Sequence, residues 1–569
     1  MFFKQSIFLF LLIINSSQII FAQDKGYGSR NTLVQEEVFL TTDRTLYFSG
    51  ERILFKANRI ISNLHNDTLL STVLYLELYD QKDKPIVQRK EQIVNGESSG
   101  SIEIPADVVT GNYFLRTYTQ YMRNFKPEIY YTTQVTIINP ELPAKEVIET
   151  VKHPKDTAVK SPDTMVEIIT SKEIFPPRSL ITIDLKGKEN ANVSVSVVKR
   201  GSYEEDKTGI NKYFKPASEV GDTTANVKWY PEIRSVSISG KVIDKKTGAP
   251  LKNTLVYASI IDNGKQFHVV RTKKNGEFVF SLPNLNEKNK IYICVQKQED
   301  QEVAVLINQD FSSDFLQLEY AQENIDSNKI RLVDEMYVNY QVAKEYNNNI
   351  EIKKTFLDTL PDPFAEKYEN TILTDYVDLP EMTDIFNEII PYTHVKKSGK
   401  KVSIQAFDKT DKTIFPHPLI LLDGIPFQDD SALLSLSPSK IISVGIIAQP
   451  FVHGSEKIYG IINIKSVDGN LGGLQLPKDL VAVDYITFSP LTSQQYKDYK
   501  KESYAENRNP DFRNTMYWNP SVVLKSGKAT LQFYSSDYSS DYEIVVRGMD
   551  ESGKLIFSTK TIRIDNSKR

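Results

Sequence analysis

Three apolar segments in close succession constrain the fold of this chain more than any other feature. The first is Pro418–Phe427 (PLILLDGIPF), which is interrupted by Asp423-Gly424. The second runs from Ile441 to Ile447, and the third (YGIINIKS) begins at Tyr459. Apolar runs of this length between turn residues predict buried strands. The sequence therefore predicts a small sheet with a tight turn, in which Asp423 caps the loop and Gly424 takes positive φ.

These strands resemble the plug domain of TonB-dependent outer-membrane transporters, and the resemblance covers about residues 370–473. In those transporters the plug sits inside a barrel of about 22 strands, each of about 9 to 11 residues. Only 103 residues (569 minus 466) follow Ser466, and the polar stretch Ser493–Glu506 is typical of a helix. We therefore expect an accessory or scaffold role rather than transport by this chain alone.

The first 22 residues predict a cleaved secretory signal. Lys4 supplies a positive charge, and Ile7 to Ile14 is an apolar run that ends well before Ala22. A membrane-spanning helix needs about 20 apolar residues, so this run is too short for one. We expect an exported protein of the periplasm, outer membrane or cell surface. The formal net charge of −4 is spread along the chain and gives no sign of nucleic-acid binding.

Residues 33–140 predict an antiparallel β-sandwich. Leu74, Leu76 and Leu78 alternate with Tyr75, Glu77 and Tyr79, the period-2 pattern of a half-buried strand. The segments Val38–Ala57 and Ile104–Phe125 resemble the second macroglobulin domain of the alpha-2-macroglobulin family. Ser49 is a departure, because that family usually has proline there.

The next 170 or so residues predict a linker and two more sandwiches. Residues 141–163 lack periodicity and are rich in Lys, Glu, Pro and Thr, as is typical of a linker. Residues 164–229 predict a second macroglobulin-like sandwich, in which Asn192–Val198 alternates. Residues 230–307 carry the hairpin signal Asn275-Gly276 and are similar to the carboxypeptidase regulatory-like sandwich of transthyretin type. That module has no peptidase chemistry.

A helical connector, residues 320–369, and a C-terminal domain, residues 480–569, complete the predicted organisation. Ile330–Tyr346 has apolar residues at spacings of three and four, which predicts an amphipathic helix, and a second helix is predicted from Leu379 to Ile390. Phe512–Phe557 resembles the macroglobulin domain that precedes the thioester domain. The predicted fold class is mainly β, with tandem macroglobulin-like and transthyretin-like sandwiches and a small α+β plug-like domain. The order of these resemblances is typical of a secreted multidomain protein of the Bacteroidetes type.

No residue pattern predicts catalysis, a cofactor or a metal ion. The chain lacks the Gly-Cys-Gly-Glu-Gln segment of a thioester, so covalent protease trapping is not expected. The only cysteine, Cys294, lies in an apolar strand and leaves no partner for a disulfide within the chain. Asp537 and Asp541 lack the glycine and final glutamate of a calcium loop, so a polar turn is the better interpretation. The histidines have no metal-ligand spacing: His65, His153, His268, His394, His417 and His453.

The favoured function is a non-enzymatic accessory or scaffold protein that docks on an outer-membrane β-barrel, such as a TonB-dependent transporter. The candidate partner-binding residues are the two turn residues and the three residues after them, namely Asp423, Gly424, Ile425, Pro426 and Phe427. Two interpretations of Phe427 stay open: an exposed anchor for a partner pocket, or a core residue. The alternative function is a macroglobulin-like protease-binding or defence protein without a thioester. Peripheral membrane association fits the first function, and neither function calls for nucleic acid.

Overall fold

The computed structural model describes residues 35–62, 70–142, 149–151, 166–204, 227–261, 266–282, 285, 287–296, 301–318, 320–322, 327–346, 351–355, 363–364, 367–399, 401–500, 508–550 and 555–568. Within these ranges strands far outnumber helices and pair into layered sheets, which confirms the predicted mainly-β fold class. No helix in the described ranges has both the length and the apolar character needed to cross a membrane. The predicted signal, residues 1–22, and most of the predicted linker, residues 141–163, lie outside the described residues.

The first sandwich consists of residues 35–138. Its smaller sheet has the order β1 (Gln35–Thr42), β3 (Arg52–Ser62), β6 (Glu97–Glu103). Its larger sheet has the order β2 (Leu46–Phe48), β8 (Tyr131–Ile138), β7 (Gly111–Tyr118), β4 (Val73–Tyr79), β5 (Pro85–Gln92). Strand β4 is buried on both faces rather than half-buried. The reason is that Phe311 and Phe315 cover its outer face, with ring centroids 5.3 Å from Tyr75 and 5.1 Å from Tyr79.

The second sandwich combines strands from two distant parts of the chain. One sheet has the order β10 (Glu167–Thr170), β12 (Leu180–Lys186), β33 (Lys528–Tyr534). The other has the order β11 (Ile174–Phe175), β35 (Leu555–Ile564), β34 (Ser540–Met549), β13 (Asn192–Lys199), β32 (Thr515–Val523). The prediction of two separate sandwiches at 164–229 and 480–569 is therefore wrong. Strand β13 pairs on both sides with strands from beyond residue 510, so neither half has a core of its own.

The third sandwich also takes a strand from later in the chain. Its sheets have the orders β17 (Glu277–Ser281), β14 (Ser237–Asp244), β19 (Val303–Ile307) and β16 (Gln266–Arg271), β15 (Leu255–Ile260), β18 (Lys288–Val295), β30 (Val481–Ile486). The predicted end at residue 307 is too early, because β30 pairs antiparallel with β18.

Helix α1 (Ser327–Glu345) confirms the predicted amphipathic helix and joins the first two sandwiches. Tyr340 stacks on Phe48 of the first sandwich, with ring centroids 5.4 Å apart, and Glu335 pairs with Lys199 of the second at 2.8 Å. Two short ribbons lie nearby: β9 (Glu149–Val151) pairs with β20 (Tyr320–Gln322), and β21 (Glu351–Thr355) pairs with β31 (Leu491–Gln495). Residues 493–495 are thus strand, not the helix that their polar composition predicted.

The inserted domain, residues 367–473, corresponds to the plug-like region. Its main sheet has the order β22 (Glu369–Ile372), β28 (Ile441–His453), β29 (Glu456–Ser466), β26 (Leu419–Leu422), β27 (Ile425–Pro426). A second sheet has the order β23 (Thr393–Ser398), β24 (Lys401–Phe407), β25 (Ile414–Phe415). The predicted helix at 379–390 is a short turn, α2 (Met382–Asp384), which continues as a π-helix through Ile385–Ile389. Helix α3 (Asp430–Leu434) contributes Leu433 to the core of this domain. Across the described residues, short 3-10 helices occupy Tyr121–Asn124, Pro127–Ile129, Leu373–Asp375, Pro438–Lys440, Leu471–Gly473 and Asn566–Lys568.

The domains are nested rather than arranged in sequence. The inserted domain lies in the chain between β19 and β30 of the third sandwich, and everything from β14 to β31 lies between β13 and β32 of the second sandwich. The C-terminal strands therefore complete two cores that begin hundreds of residues earlier. After the inserted domain the chain is tied to the third sandwich through β30, and before it β21 pairs with β31.

Candidate functional site

The Asp423-Gly424 turn has the predicted geometry and serves the inserted domain itself. Both residues have positive φ (51° and 85°), and Leu422 pairs with Ile425 across them, as in a two-residue hairpin. The Asp423 carboxylate accepts hydrogen bonds from the Ser466 backbone N–H (2.7 Å), the Ser466 hydroxyl (2.6 Å) and the Leu471 N–H (2.8 Å). Its acceptor capacity is used within the fold, so the turn fixes the end of β29.

The three residues after the turn are buried, so the expectation that they present apolar surface to a partner is wrong. Ile425 and Phe427 are each 3% exposed, and Phe427 belongs to the core of the inserted domain. The next residue, Gln428, donates hydrogen bonds to the Cys294 sulfur (3.1 Å) and the Val295 carbonyl (2.6 Å) of the third sandwich. The chain's own sandwich occupies the surface beside β27.

An apolar cluster fastens the same side of the inserted domain to the third sandwich. Leu419, Leu421 and Ile461 contribute from the inserted domain, and Tyr257 and Phe267 contribute from the sandwich. An ion pair between Arg271 and Glu456 (2.8 Å) lies beside the cluster. The contact with the third sandwich therefore takes in the β27 end and one face of the five-stranded sheet, as far as Ile447 on β28 and Tyr368 beside β22. Among the described residues, the outer edge of β22 and the segment after it lie outside this contact.

The opposite end of that sheet is strand β22. We name β22 and the segment that follows it, residues 369–390, the acidic edge. Among the described residues β22 pairs with β28 on one side and with no strand on the other. Three large apolar side chains stand out from the surface in this segment: Ile372 is 47% exposed, Tyr376 is 52% exposed and Val377 is 82% exposed. Clustered exposed apolar residues on a folded surface mark interaction sites.

The acidic edge has one sign of charge. Residues 369–390 contain no lysine, arginine or histidine, and their six carboxylates belong to Glu369, Asp375, Asp378, Glu381, Asp384 and Glu388. Glu369 pairs with Lys409 at 3.1 Å. For the other five the described part of the chain shows no ion pair, although all but the half-buried Asp384 are exposed. The segment is therefore suited to a cationic partner surface.

A shallow groove of about 440 Å³ lies elsewhere on the inserted domain, between β25 and the β28–β29 hairpin. Its apolar lining comes from Ile414, Phe415, Pro416, Pro450 and Tyr459, with Asp408, Asp411, Thr413 and His417 at the rim. The rim carboxylates cap their own turn, since Asp408 accepts from the Thr410 N–H and Asp411 from the Thr413 N–H. The hydrogen bond from the Thr413 N–H lowers the pKa of Asp411.

Three buried ionisable groups with shifted pKa lie in contacts between domains. Burial raises the pKa of Glu232 to about 7, and that of Glu91 to about 7. Burial lowers the pKa of His268 to about 4. Glu232 accepts a hydrogen bond from Tyr75 (3.0 Å) across the contact between the third and first sandwiches. The two carboxyls are buried by the packing of domains on one another, and His268 is buried beside His453 of the inserted domain.

Asp537, Asp541 and Cys294 occupy structural positions. Asp537 forms a two-atom contact with Arg178, at 2.6 Å and 2.8 Å, and Asp541 pairs with Arg563 at 3.1 Å. Cys294 is buried. Within the described ranges no group of three or more His, Cys, Asp or Glu side chains is placed to hold a metal ion.

Comparison with known proteins gives little beyond a distant likeness. No protein-family model matches the chain, and no curated protein matches it. Salmonella alpha-2-macroglobulin reacted with methylamine aligns with 95% of this chain and 40% of its own length, at 7% identity and a TM-score of 0.22. Trypsin-activated alpha-2-macroglobulin from Escherichia coli aligns with 93% of this chain and 41% of its own length, at 8% identity and a TM-score of 0.23. The chain thus spans about two fifths of the macroglobulins that it matches.

A tetra-tandem repeat from the extending region of a large adhesion protein aligns with 94% of this chain and all of its own length. That alignment has 6% identity and a TM-score of 0.12. Likenesses at these TM-scores carry no inference about activity.

Proposed function

We propose that this chain is a non-enzymatic, exported scaffold protein that docks on an outer-membrane β-barrel, such as a TonB-dependent transporter, through its inserted domain. The observation that carries the proposal is the asymmetry of the five-stranded sheet. Its β27 end is held by the third sandwich, whereas β22 and the segment after it carry exposed apolar side chains and five carboxylates that have no ion pair among the described residues. A rigidly held domain with one free, chemically distinct end suits docking.

Three further features support the proposal. The signal-like first 22 residues favour export. The plug-like segments of the inserted domain favour a partner in the outer membrane. The two carboxyls whose pKa burial raises to about 7, Glu232 and Glu91, are buried where one domain packs on another. That placement supports a non-catalytic role.

Site-specific photo-crosslinking in the cells that produce the protein tests this function. A photo-reactive residue is placed at exposed positions of the inserted domain, one variant at a time: Val377, Ile414, Val452 and Val467. We expect adducts from at least one position with an outer-membrane β-barrel protein. Adducts with proteases alone would favour the macroglobulin-like alternative, and barrel adducts that form equally from positions on the second sandwich, such as Leu555, would contradict docking through the inserted domain.

A further inference from the structure

We propose that the acidic edge takes up an extended, lysine- or arginine-rich segment of the partner protein, which adds as a strand beside β22. This inference rests on the proposed function and names the chemistry of the contact. It requires three properties at one place: a strand edge that can pair, apolar side chains that can be covered, and a charge that selects the occupant. Residues 369–390 supply all three.

The strand edge comes first. β22 pairs through Glu369–Ile372 with Ser443–Ile446 of β28, and its other side pairs with no strand in the described part of the chain. An extended peptide can add to such an edge through main-chain hydrogen bonds. β22 contains neither lysine nor proline, two residues that commonly protect an edge from pairing. It has only four residues, so side chains must contribute the rest of the affinity.

The apolar side chains lie at the end of this strand. Ile372 is its last residue, and Tyr376 and Val377 follow one turn of 3-10 helix later. Val377, at 82% exposed, has the largest exposed fraction among the large apolar side chains that the structure describes. A partner strand that continued past Ile372 would cover these residues and remove apolar surface from water, which favours association.

The charge decides which partner fits. Five carboxylates of the segment have no ion pair among the described residues. Lys396 and Lys397 follow the segment on β23 and are exposed, but neither forms an ion pair with it in the described ranges, and two lysines near β22 are already engaged. Lys367 lies over the ring of Phe451, at 4.9 Å from its centroid, and Lys409 pairs with Glu369. Lys465 is two strands away in the sheet, since its partner Ser443 is in turn the partner of Ile372. A basic segment gains attraction here that an acidic one would lose.

Fluorescence anisotropy with two labelled ten-residue peptides tests the inference on the full-length mature protein. One peptide alternates lysine with valine, and the other alternates glutamate with valine. We expect the lysine peptide to bind at least about tenfold more tightly at low salt, and we expect this preference to shrink as added salt screens the carboxylates. A lysine peptide that is N-methylated at every residue has no N–H donor on either edge, and its affinity should fall at least about fivefold.

The chain contains a matched control for the site. Val377-Asp378 and Val467-Asp468 are both exposed Val-Asp pairs on the inserted domain. The double variant Val377→Ser, Asp378→Lys should weaken binding of the lysine peptide at least about fivefold. The double variant Val467→Ser, Asp468→Lys should leave it within about twofold. All four side chains are exposed, so circular dichroism and thermal unfolding should match the unaltered protein for both variants.

Each of the remaining outcomes would contradict a specific part of the inference or of the proposed function. Equal loss in both double variants, or equal binding of the two peptides, would overturn the acidic edge as the site. Unchanged binding of the N-methylated peptide would overturn strand addition. Barrel adducts from Val452 or Val467 but none from Val377 would leave docking intact and overturn this edge. Barrel adducts from no position would overturn the proposed function even where the lysine peptide binds as expected.

Discussion

The ammonium group of Lys90 donates a hydrogen bond of 2.8 Å to the phenolic oxygen of Tyr485, although 395 residues separate them in the chain. Lys90 is fully buried on β5 of the first sandwich, and Tyr485 lies on β30, the last strand of the third. Asp310 contacts both residues: one carboxylate oxygen lies 2.6 Å from the Lys90 ammonium nitrogen, and the other accepts a hydrogen bond of 2.9 Å from the Tyr485 hydroxyl. These contacts hold β30 of the third sandwich against the first sandwich.

The Tyr485→Phe variant should lose about 1–3 kcal/mol of stability, because it leaves the buried Lys90 with one partner fewer. We expect a lower thermal unfolding temperature and weaker hydrogen-exchange protection of Val481–Ile486. Tyr459→Phe is the control, since Tyr459 is exposed, and it should change stability by less than about 0.5 kcal/mol. Unchanged protection of Val481–Ile486 in Tyr485→Phe would show that the contact does not hold β30.

Glu232 should make the stability of the protein depend on pH. Burial raises the pKa of this carboxyl to about 7, above its ordinary value near 4.5, while Lys90 opposes the rise and Asp310 adds to it. The folded protein therefore favours the protonated form. The contribution of Glu232 is fully present below about pH 4.5 and is lost as the pH rises through about 7. The difference corresponds to roughly 3 kcal/mol.

Thermal unfolding measured from pH 5 to pH 8 checks this prediction. We expect the unfolding temperature to fall across that range, and the fall should be smaller for Glu232→Gln, which cannot ionise. Glu91, whose pKa burial also raises to about 7, has the same sign, so the remaining slope should shrink further in Glu232→Gln, Glu91→Gln. Glu277→Gln is the exposed control. Identical slopes for Glu232→Gln and the unaltered protein would contradict the prediction.

Local structure could be predicted from the sequence, because it depends on neighbouring residues. The Asp423-Gly424 turn forms as predicted since both residues tolerate positive φ. The amphipathic pattern of Ile330–Tyr346 places the helix within three residues of its observed start. The alternation of Asn192–Val198 identifies strand β13. Each of these signals spans fewer than about twenty residues.

Which strands pair with one another could not be predicted from the sequence. Alternation of apolar and polar residues shows that a strand has a buried face, but not which other segment covers that face. Strand β13 takes β32 and β34, more than 300 residues later, as its neighbours. The burial of Phe427 likewise depends on a core gathered from 382–464. The acidic edge did have a signal: a count of charges over 369–390 gives six acids and no base. The exposure of Val377 needed the structure.

The Phe427→Ala variant should lose about 3–5 kcal/mol of stability, the usual cost of removing a buried aromatic side chain. Phe427 is buried in the core of the inserted domain with Leu422 and Leu433. Val377→Ala, at an exposed position, should cost less than about 0.5 kcal/mol. Denaturant unfolding followed by signals from the inserted domain measures both. A Phe427→Ala protein as stable as the unaltered one would contradict the core position.

Two glycines with similar backbone angles allow steric crowding to be separated from backbone strain. Gly424 (φ 85°) and Gly460 (φ 76°) both have positive φ. A Cβ at Gly424 would have no atom within 4 Å, whereas one at Gly460 would lie 2.9 Å from a ring carbon of Phe415 and 3.3 Å from the Cβ atoms of Ala406 and Pro418. Gly460 lies where the pairing of β28 and β29 shifts register, beside the groove. It lets the Phe415 ring pack directly on β29.

Gly424→Ala should therefore cost about 1–2 kcal/mol, the strain of a left-handed backbone on a residue with a Cβ. Gly460→Ala should cost that amount and about 1–3 kcal/mol more, because the added methyl group must displace Phe415 or the backbone of β29. Denaturant unfolding of the two single variants and the unaltered protein gives both differences. Equal losses would mean that Phe415 moves away without cost, and the close packing of β25 on β29 would then contribute nothing to the stability of the inserted domain.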